Sequence, residues 1–196
     1  MSLAFPKPAR RCPKTRRRIK RRTSLRWPRR TEPEALKRGR LRTRHLRKLC
    51  DDTFALYVRV RDRNRCRLCG ADGQRGAATQ AAHLISRSYY QCRLLPENCW
   101  CLCSSCHRRY SGPAASLQWD ELVEKAVGVV EWARRKALAQ VPTRIDWSAA
   151  RLPLLLLLRE GVRENTACGL DVQLERIELR HAVYERRIRG SIQQAG

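Results

Sequence analysis

Two Cys-x2-Cys pairs, Cys66-Arg-Leu-Cys69-Gly70 and Cys103-Ser-Ser-Cys106, stand 33 residues apart in a chain of 196 residues. A two-residue spacer lets both sulfurs of a pair face one ion, and Gly70 lets the backbone turn tightly behind the first pair. Four thiolates complete the tetrahedral shell of Zn2+ and leave no open position, so the reading is a closed structural site rather than a redox pair. Such a site clamps the ends of a segment, residues 66–106, that is dense in Cys, His, Gly and Ser and too short of apolar periods for a large core. Within it, residues 79–85 and 98–103 read as two short strands and 86–97 as the loop between them. Cys99, Cys101 and Cys103 alternate along one strand face. Cys92, Cys99 and Cys101 read as small buried thiols, with substitution for a knuckle ligand as the alternative.

Helical patterns flank this segment. From about Glu34, Leu46, Leu49, Cys50, Thr53, Phe54, Tyr57 and Val58 trace one apolar face, with Arg42, Arg44, Arg47, Lys48, Arg59 and Arg61 mostly off it. After Pro113, a stripe of Trp119, Leu122, Val123, Ala126, Val127, Val130 and Ala137 predicts one helix with Ser116 as N-cap, weakened at Gly128. A further helix is expected from about Leu170 to Ile188, with His181 in its stripe, after a helix-plus-loop connection over residues 140–169. The expected class is α+β, a small zinc-stapled core between amphipathic helices. Three regions follow: a basic disordered arm (1–33), the core and its neighbouring helices (34–139), and a C-terminal helical region (140–196).

Charge constrains the partner. The chain carries 43 Lys+Arg against 18 Asp+Glu, a formal net charge of +25. Residues 1–50 hold 20 Lys+Arg and two acids, Glu32 and Glu34, so +18 sits there and +7 on the remaining 146 residues. Self-repulsion is expected to keep such an arm disordered until it meets a polyanion, and the charge points to a polyanion rather than to a small neutral molecule as the sole partner. The longest apolar run, Leu152 to Leu158, contains Pro153 and is far below the roughly 20 residues a membrane-spanning helix needs. No apolar stretch follows Lys7, Arg10 and Arg11, so a secretory signal is not expected and a cytoplasmic location is. Tyr89, Tyr90 and Trp100 are candidates for stacking on unpaired bases, with burial as the alternative.

Only four histidines are present, and two lie within or beside the cysteine segment. His83 is in Ala81-Ala82-His83-Leu84-Ile85, Asn98 opens the second strand, and His107 follows the last knuckle cysteine. The order His, Asn, Cys-x2-Cys-His resembles the HNH, or ββα-metal, endonucleases. With Arg61-Asp62-Arg63 before the first knuckle, Arg93 five residues before Asn98, and Ser111-Gly112 after the second, it is most similar to the NinG-type recombination endonucleases of phages, over about residues 50–135. The resemblance implies a DNA endonuclease acting on branched or partly single-stranded DNA during phage recombination in a bacterial host. By it, the strand-end His83 activates a water, Asn98 fixes the fold and the base, and His107 holds a catalytic Mg2+ or Mn2+, with Asn98 and Glu97 as further ligand candidates. Many HNH enzymes place an Asp before the first His to bind the ion; here that residue is Ala82. Arg61, Arg63, Arg87, Arg93, Arg108 and Arg109 are candidate DNA contacts, and a two-fold junction substrate would suit a homodimer. The rival reading is a non-catalytic zinc-binding module that grips nucleic acid.

Overall fold

A computed structural model describes residues 34–110, 116–165 and 169–193. The arm expected over residues 1–33 and the Ser111-Gly112 pair lie outside them. The chain builds a long helix α1 (Glu34–Arg61), strand β1 (Thr79–His83), a single turn α2 (Tyr90–Arg93), strand β2 (Cys99–Cys103) and helix α3 (Ser104–Tyr110). Helices α4 (Ser116–Val127), α5 (Val129–Ala139), α6 (Trp147–Glu164) and α7 (Asp171–Gln193) follow. The architecture is therefore α+β, with one two-stranded antiparallel sheet among helices. Among the described residues, no helix is long and apolar enough to cross a membrane.

The strands pair Thr79 with Cys103, Ala81 with Cys101 and His83 with Cys99, so these six residues share one face. On that face Cys99 and Cys101 pack with Leu46, Cys50, Phe54 and Val58 of α1 and with Trp147 and Leu154 of α6. The opposite face carries Ala82, Trp100 and Leu102, which pack with Val123 of α4 and Trp132 and Ala139 of α5. The expected stripe of α1 is buried apart from the half-buried Tyr57, but so are Leu56 and Val60, which meet Leu158 of α6 and Leu170 and Ile177 on the α7 side. An element covered on two sides is apolar on two sides, which a single-stripe reading cannot register. Helix α6 and the α7 side of the C-terminal region thus pack on α1, the helix that also covers one face of the sheet.

Gly128 splits the helix expected after Pro113. Its φ of +90° is outside the range a helix accepts, so α4 ends at Val127 and α5 starts afresh. The break resets the period: Val130 is 83% exposed and Trp132 takes the core position. The connection over 140–169 contains the well-formed α6, started by Asp146, whose carboxylate accepts from the backbone amides of Ser148 (2.9 Å) and Ala149 (3.2 Å).

Candidate metal centre and the adjoining two-histidine cavity

The end of α1 is the platform on which the cysteine segment is laid. Arg63 and Asn64 both adopt left-handed backbone, with φ of 53° and 56°, turning the chain sharply off the helix. Asp62 accepts from the Cys101 amide (2.8 Å), Arg61 donates to the carbonyls of Cys99 (2.7 Å) and Pro96 (2.5 Å), and the Arg67 amide donates to Cys101 O (2.9 Å). Together these groups satisfy the outer edge of β2, where a third strand would otherwise pair. Arg61 and Asp62 hold each other through two contacts of 2.8 and 3.0 Å. Arg61 was read from sequence as a DNA contact; its guanidinium is committed to this edge instead.

The first knuckle then folds back on itself, with an Arg65–Asp72 bridge and the Cys66 amide bonded to Ala71 O at 2.9 Å. Gly70, at φ +73°, makes the turn that places Cys69 opposite Cys66. Cys103 ends β2 and Cys106 lies in the first turn of α3. The sulfurs of Cys66, Cys69, Cys103 and Cys106 all lie within 4.8 Å of one another, and Cys69 and Cys103 Sγ are 3.6 Å apart. A tetrahedron with bonds of about 2.3 Å has edges of about 3.8 Å, so the cluster fits one ion such as zinc. Burial pushes the Cys66 thiol up, but backbone hydrogen bonds at Cys103, Cys69 and Leu68 outweigh it and bring it to about 7, favouring the thiolate. The remaining cysteines behave oppositely: burial pushes Cys99 up to about 12 and Cys101 up to about 11, which keeps both as packed thiols. Cys92 is buried as well, its thiol raised by burial.

Beside this cluster, His83 at the end of β1 and His107 in α3 line one cavity of about 200 Å3, with Ala82, Leu102, Tyr110 and Trp119 completing it. Trp119 is fixed there by its indole N–H, which donates to Leu84 O at 3.0 Å. His83 Nε2 lies 2.9 Å from Arg93 O. A carbonyl only accepts, so Nε2 carries the proton and Nδ1 keeps the lone pair of the neutral ring. Burial pushes the His83 pKa below its ordinary value, and the charges of Arg93 and Arg87 act in the same direction. The His107 pKa is lowered by burial as well.

The other predicted site residues fall in different places. Asn98 is 1% exposed and does not line the cavity. Its amide accepts from the Ile85 amide (2.9 Å) and donates to Ile85 O (3.1 Å) and Cys92 O (2.9 Å), bracing the loop after β1. That geometry gives it a bracing role and removes it as an ion ligand. Glu97 is exposed on the turn before β2, also outside the cavity lining.

Arg93, 2% exposed, is another correction. It forms a two-pronged pair with Asp51 of α1 at 2.6 and 2.8 Å and donates to Arg87 O at 2.5 Å, so it is a buried tie and not a phosphate contact. Asp51→Ala leaves that guanidinium buried without its partner and is expected to cost about 3–5 kcal/mol in urea unfolding. An Arg93 that only gripped DNA would leave unfolding unchanged. Arg63, Arg87, Arg108 and Arg109 are exposed; Arg63 donates to Asn165 Oδ1 at 3.3 Å and Arg108 to Ser104 O at 3.3 Å.

Two cavity residues were missed in the sequence, Tyr110 and Trp119. Tyr110 stands three residues after His107 on the same helix face, a spacing from which it was legible. No family model matches this chain, and neither a curated protein nor a solved structure does.

Proposed function

We propose that the chain is a metal-dependent endonuclease that hydrolyses phosphodiester bonds in branched or partly single-stranded DNA. The observation that carries this reading is that His83 and His107 line one cavity, with the Nε2 of His83 tied to a carbonyl, which leaves Nδ1 as the unprotonated nitrogen of the neutral ring. A neutral imidazole in that state takes a proton from a water attacking phosphorus. Arg93 O fixes the tautomer and the ring orientation, as the carboxylate does for histidine in other hydrolytic sites. The basic surface supplies phosphate contacts that do not depend on sequence.

A divalent ion at His107 would supply Lewis acidity to a phosphate oxygen. Among the described residues the cavity lining offers such an ion one imidazole and the Tyr110 phenol and no carboxylate, so phosphate and water would fill the rest of its shell. An imidazole donor suits later first-row ions better than Mg2+. The same lack of a carboxylate, with Ala82 on the cavity wall, is what favours the rival, a zinc-bearing module that binds nucleic acid without cutting it.

The two readings separate in a cleavage panel. Zinc-loaded protein is incubated with linear, flapped and four-way DNA in Mg2+, Mn2+ or Co2+. Nicks or breaks in the flapped or four-way DNA, absent without a divalent ion, are expected. Tight binding with intact DNA in every ion establishes the module instead.

A further inference from the structure

Helix α1 reaches the His83 imidazole in two ways, one direct and one through an intermediary. Directly, the Phe54 ring lies against it, with centroids 6.0 Å apart and planes at 40°. Asp51 stands three residues before Phe54, on the same helical face. Its carboxylate accepts from Arg93 Nε at 2.8 Å and from Arg93 Nη2 at 2.6 Å. Arg93 O in turn accepts from His83 Nε2 at 2.9 Å. A chain of two contacts therefore runs from Asp51 to the ring.

The Arg93 carbonyl is poorly held by its own backbone. It ends α2, a turn of four residues whose N-cap, Tyr89, makes no side-chain capping bond. A single turn fixes several dihedrals for very few hydrogen bonds and does not sustain itself. The bond that closes behind it, from the Leu95 amide to Cys92 O, is long at 3.4 Å. The side chain supplies what the turn lacks. Arg93 is 2% exposed, donates to Arg87 O at 2.5 Å, and lies 5.9 Å from the Tyr90 centroid and 5.6 Å from that of Trp147. With its guanidinium clamped to α1, its peptide group stays at a set distance from the end of β1.

We infer that Asp51 is a positioning residue of the His83 site: acting through Arg93, it keeps the imidazole in one orientation and in the tautomer protonated at Nε2. Asp51 does not line the two-histidine cavity, so it acts on the ring from behind. The group that binds one ring nitrogen decides which nitrogen is left to work, and moving that group moves the tautomer. The same pair also neutralises a buried guanidinium, so loss of stability alone does not reveal the role, and the ring itself has to be read. Service to catalysis rests on the hydrolytic reading, whereas the hold on the imidazole does not.

The test reads the ring by NMR. Zinc-loaded protein labelled with 15N at histidine is recorded at pH 8, without DNA or added divalent ion, by a long-range 1H–15N correlation that separates protonated from unprotonated ring nitrogens. The chain has four histidines, and the spectrum of His83→Gln identifies the signal of interest. Wild type is expected to show His83 in the Nε2–H form alone. Asp51→Asn keeps the shape and drops the charge, and is expected to draw the two ring-nitrogen shifts together, as exchange with the Nδ1–H form requires. Arg93→Lys keeps the charge but loses the two-pronged fork, and is expected to do the same. Asp51→Glu keeps the charge and is expected to retain the wild-type pattern. Glu185→Gln is the control: it breaks another pair to a buried arginine, Arg151, and is expected to lower the melt and move only the signal of His181, whose ring lies 3.2 Å from Arg151. In single-turnover cleavage of flapped DNA, Asp51→Asn is expected to be slower by about 10- to 100-fold with unchanged DNA affinity, the usual cost of removing the group that orients a functional histidine.

A wild-type His83 signal in both Asp51→Asn and Arg93→Lys, with their circular-dichroism melts lowered, makes the pair a structural tie only and overturns the proposal. So does an Asp51→Asn protein that displaces the signal and still cuts at the wild-type rate. If Asp51→Asn does not fold, the contrast between Asp51→Glu and Arg93→Lys decides in its place. Wild-type protein that leaves DNA intact removes the hydrolytic reading, and the NMR comparison still decides whether Asp51 holds the imidazole.

Discussion

Replacing Cys103 with Ser is expected to release the bound metal and to lower the melting temperature by about 10–20 °C. Cys103 is the point at which β2 hands over to α3, so an ion held there would be joined to both the sheet and the helix that carries His107. Without the ion, the first knuckle is held to β2 by the Arg67 amide on Cys101 O and by the apolar cluster that takes in Cys66, Ala82, Trp100 and Leu102. Structural zinc contributes about 10–16 kcal/mol in isolated fingers. Here α1 and α4 also brace the segment, so a loss of about 5 kcal/mol is the expectation, which a chain of this length reads as that temperature shift. Elemental analysis is expected to fall from one zinc per chain to none. Cys99→Ser is the contrasting control: the thiol is fully buried and held near 12, so its replacement is expected to keep the zinc.

The largest effect on activity is expected at His83. A general base contributes about 10²–10⁴ to rate, so His83→Ala is expected to lose that factor in cleavage while binding DNA as wild type does. The sign of the pH dependence follows from the lowered pKa. On the proposed hydrolytic reading the neutral ring is the active form, and burial together with Arg93 and Arg87 disfavours the charged form. Activity therefore rises with pH through an inflection below the ordinary histidine value of about 6.5 and is flat above it. His181 is a useful contrast. It too is buried and held neutral, to about 4, but it lies between Thr53 (2.9 Å) and Arg151 (3.2 Å) in the packing of α1, α6 and α7. Its replacement acts on stability.

What the sequence made legible follows from how local each signal was. The four clustered cysteines, the two strands and α1 were readable because a knuckle spacing, a two-residue alternation and a helical period are each written within a dozen residues. The split at Gly128 was flagged only as a weak point, since a sequence does not reveal whether a helical glycine keeps φ negative. Arg61 and Arg93 were misread for a different reason. Their partners, the open edge of β2 and Asp51, lie 35–42 residues away, so the pairing exists only after folding. An arginine beside a cysteine knuckle looks the same in sequence whether it grips phosphate or a carbonyl. Asn98 divided along the same line: its place before β2 was legible, and its commitment to Ile85 and Cys92 was not.

On the proposed reading, folding around the four cysteines leaves the His83 imidazole as a working base. The most direct measurement is the single-turnover cleavage rate of flapped DNA between pH 5 and 8, for zinc-loaded wild type and His83→Ala in the same divalent ion. The expected result is a wild-type rate that climbs tenfold per pH unit to an inflection below 6.5 and then levels, with His83→Ala slower by at least a hundredfold on the plateau. A His83→Ala rate within threefold of wild type, or DNA left intact by both proteins while still bound, contradicts it.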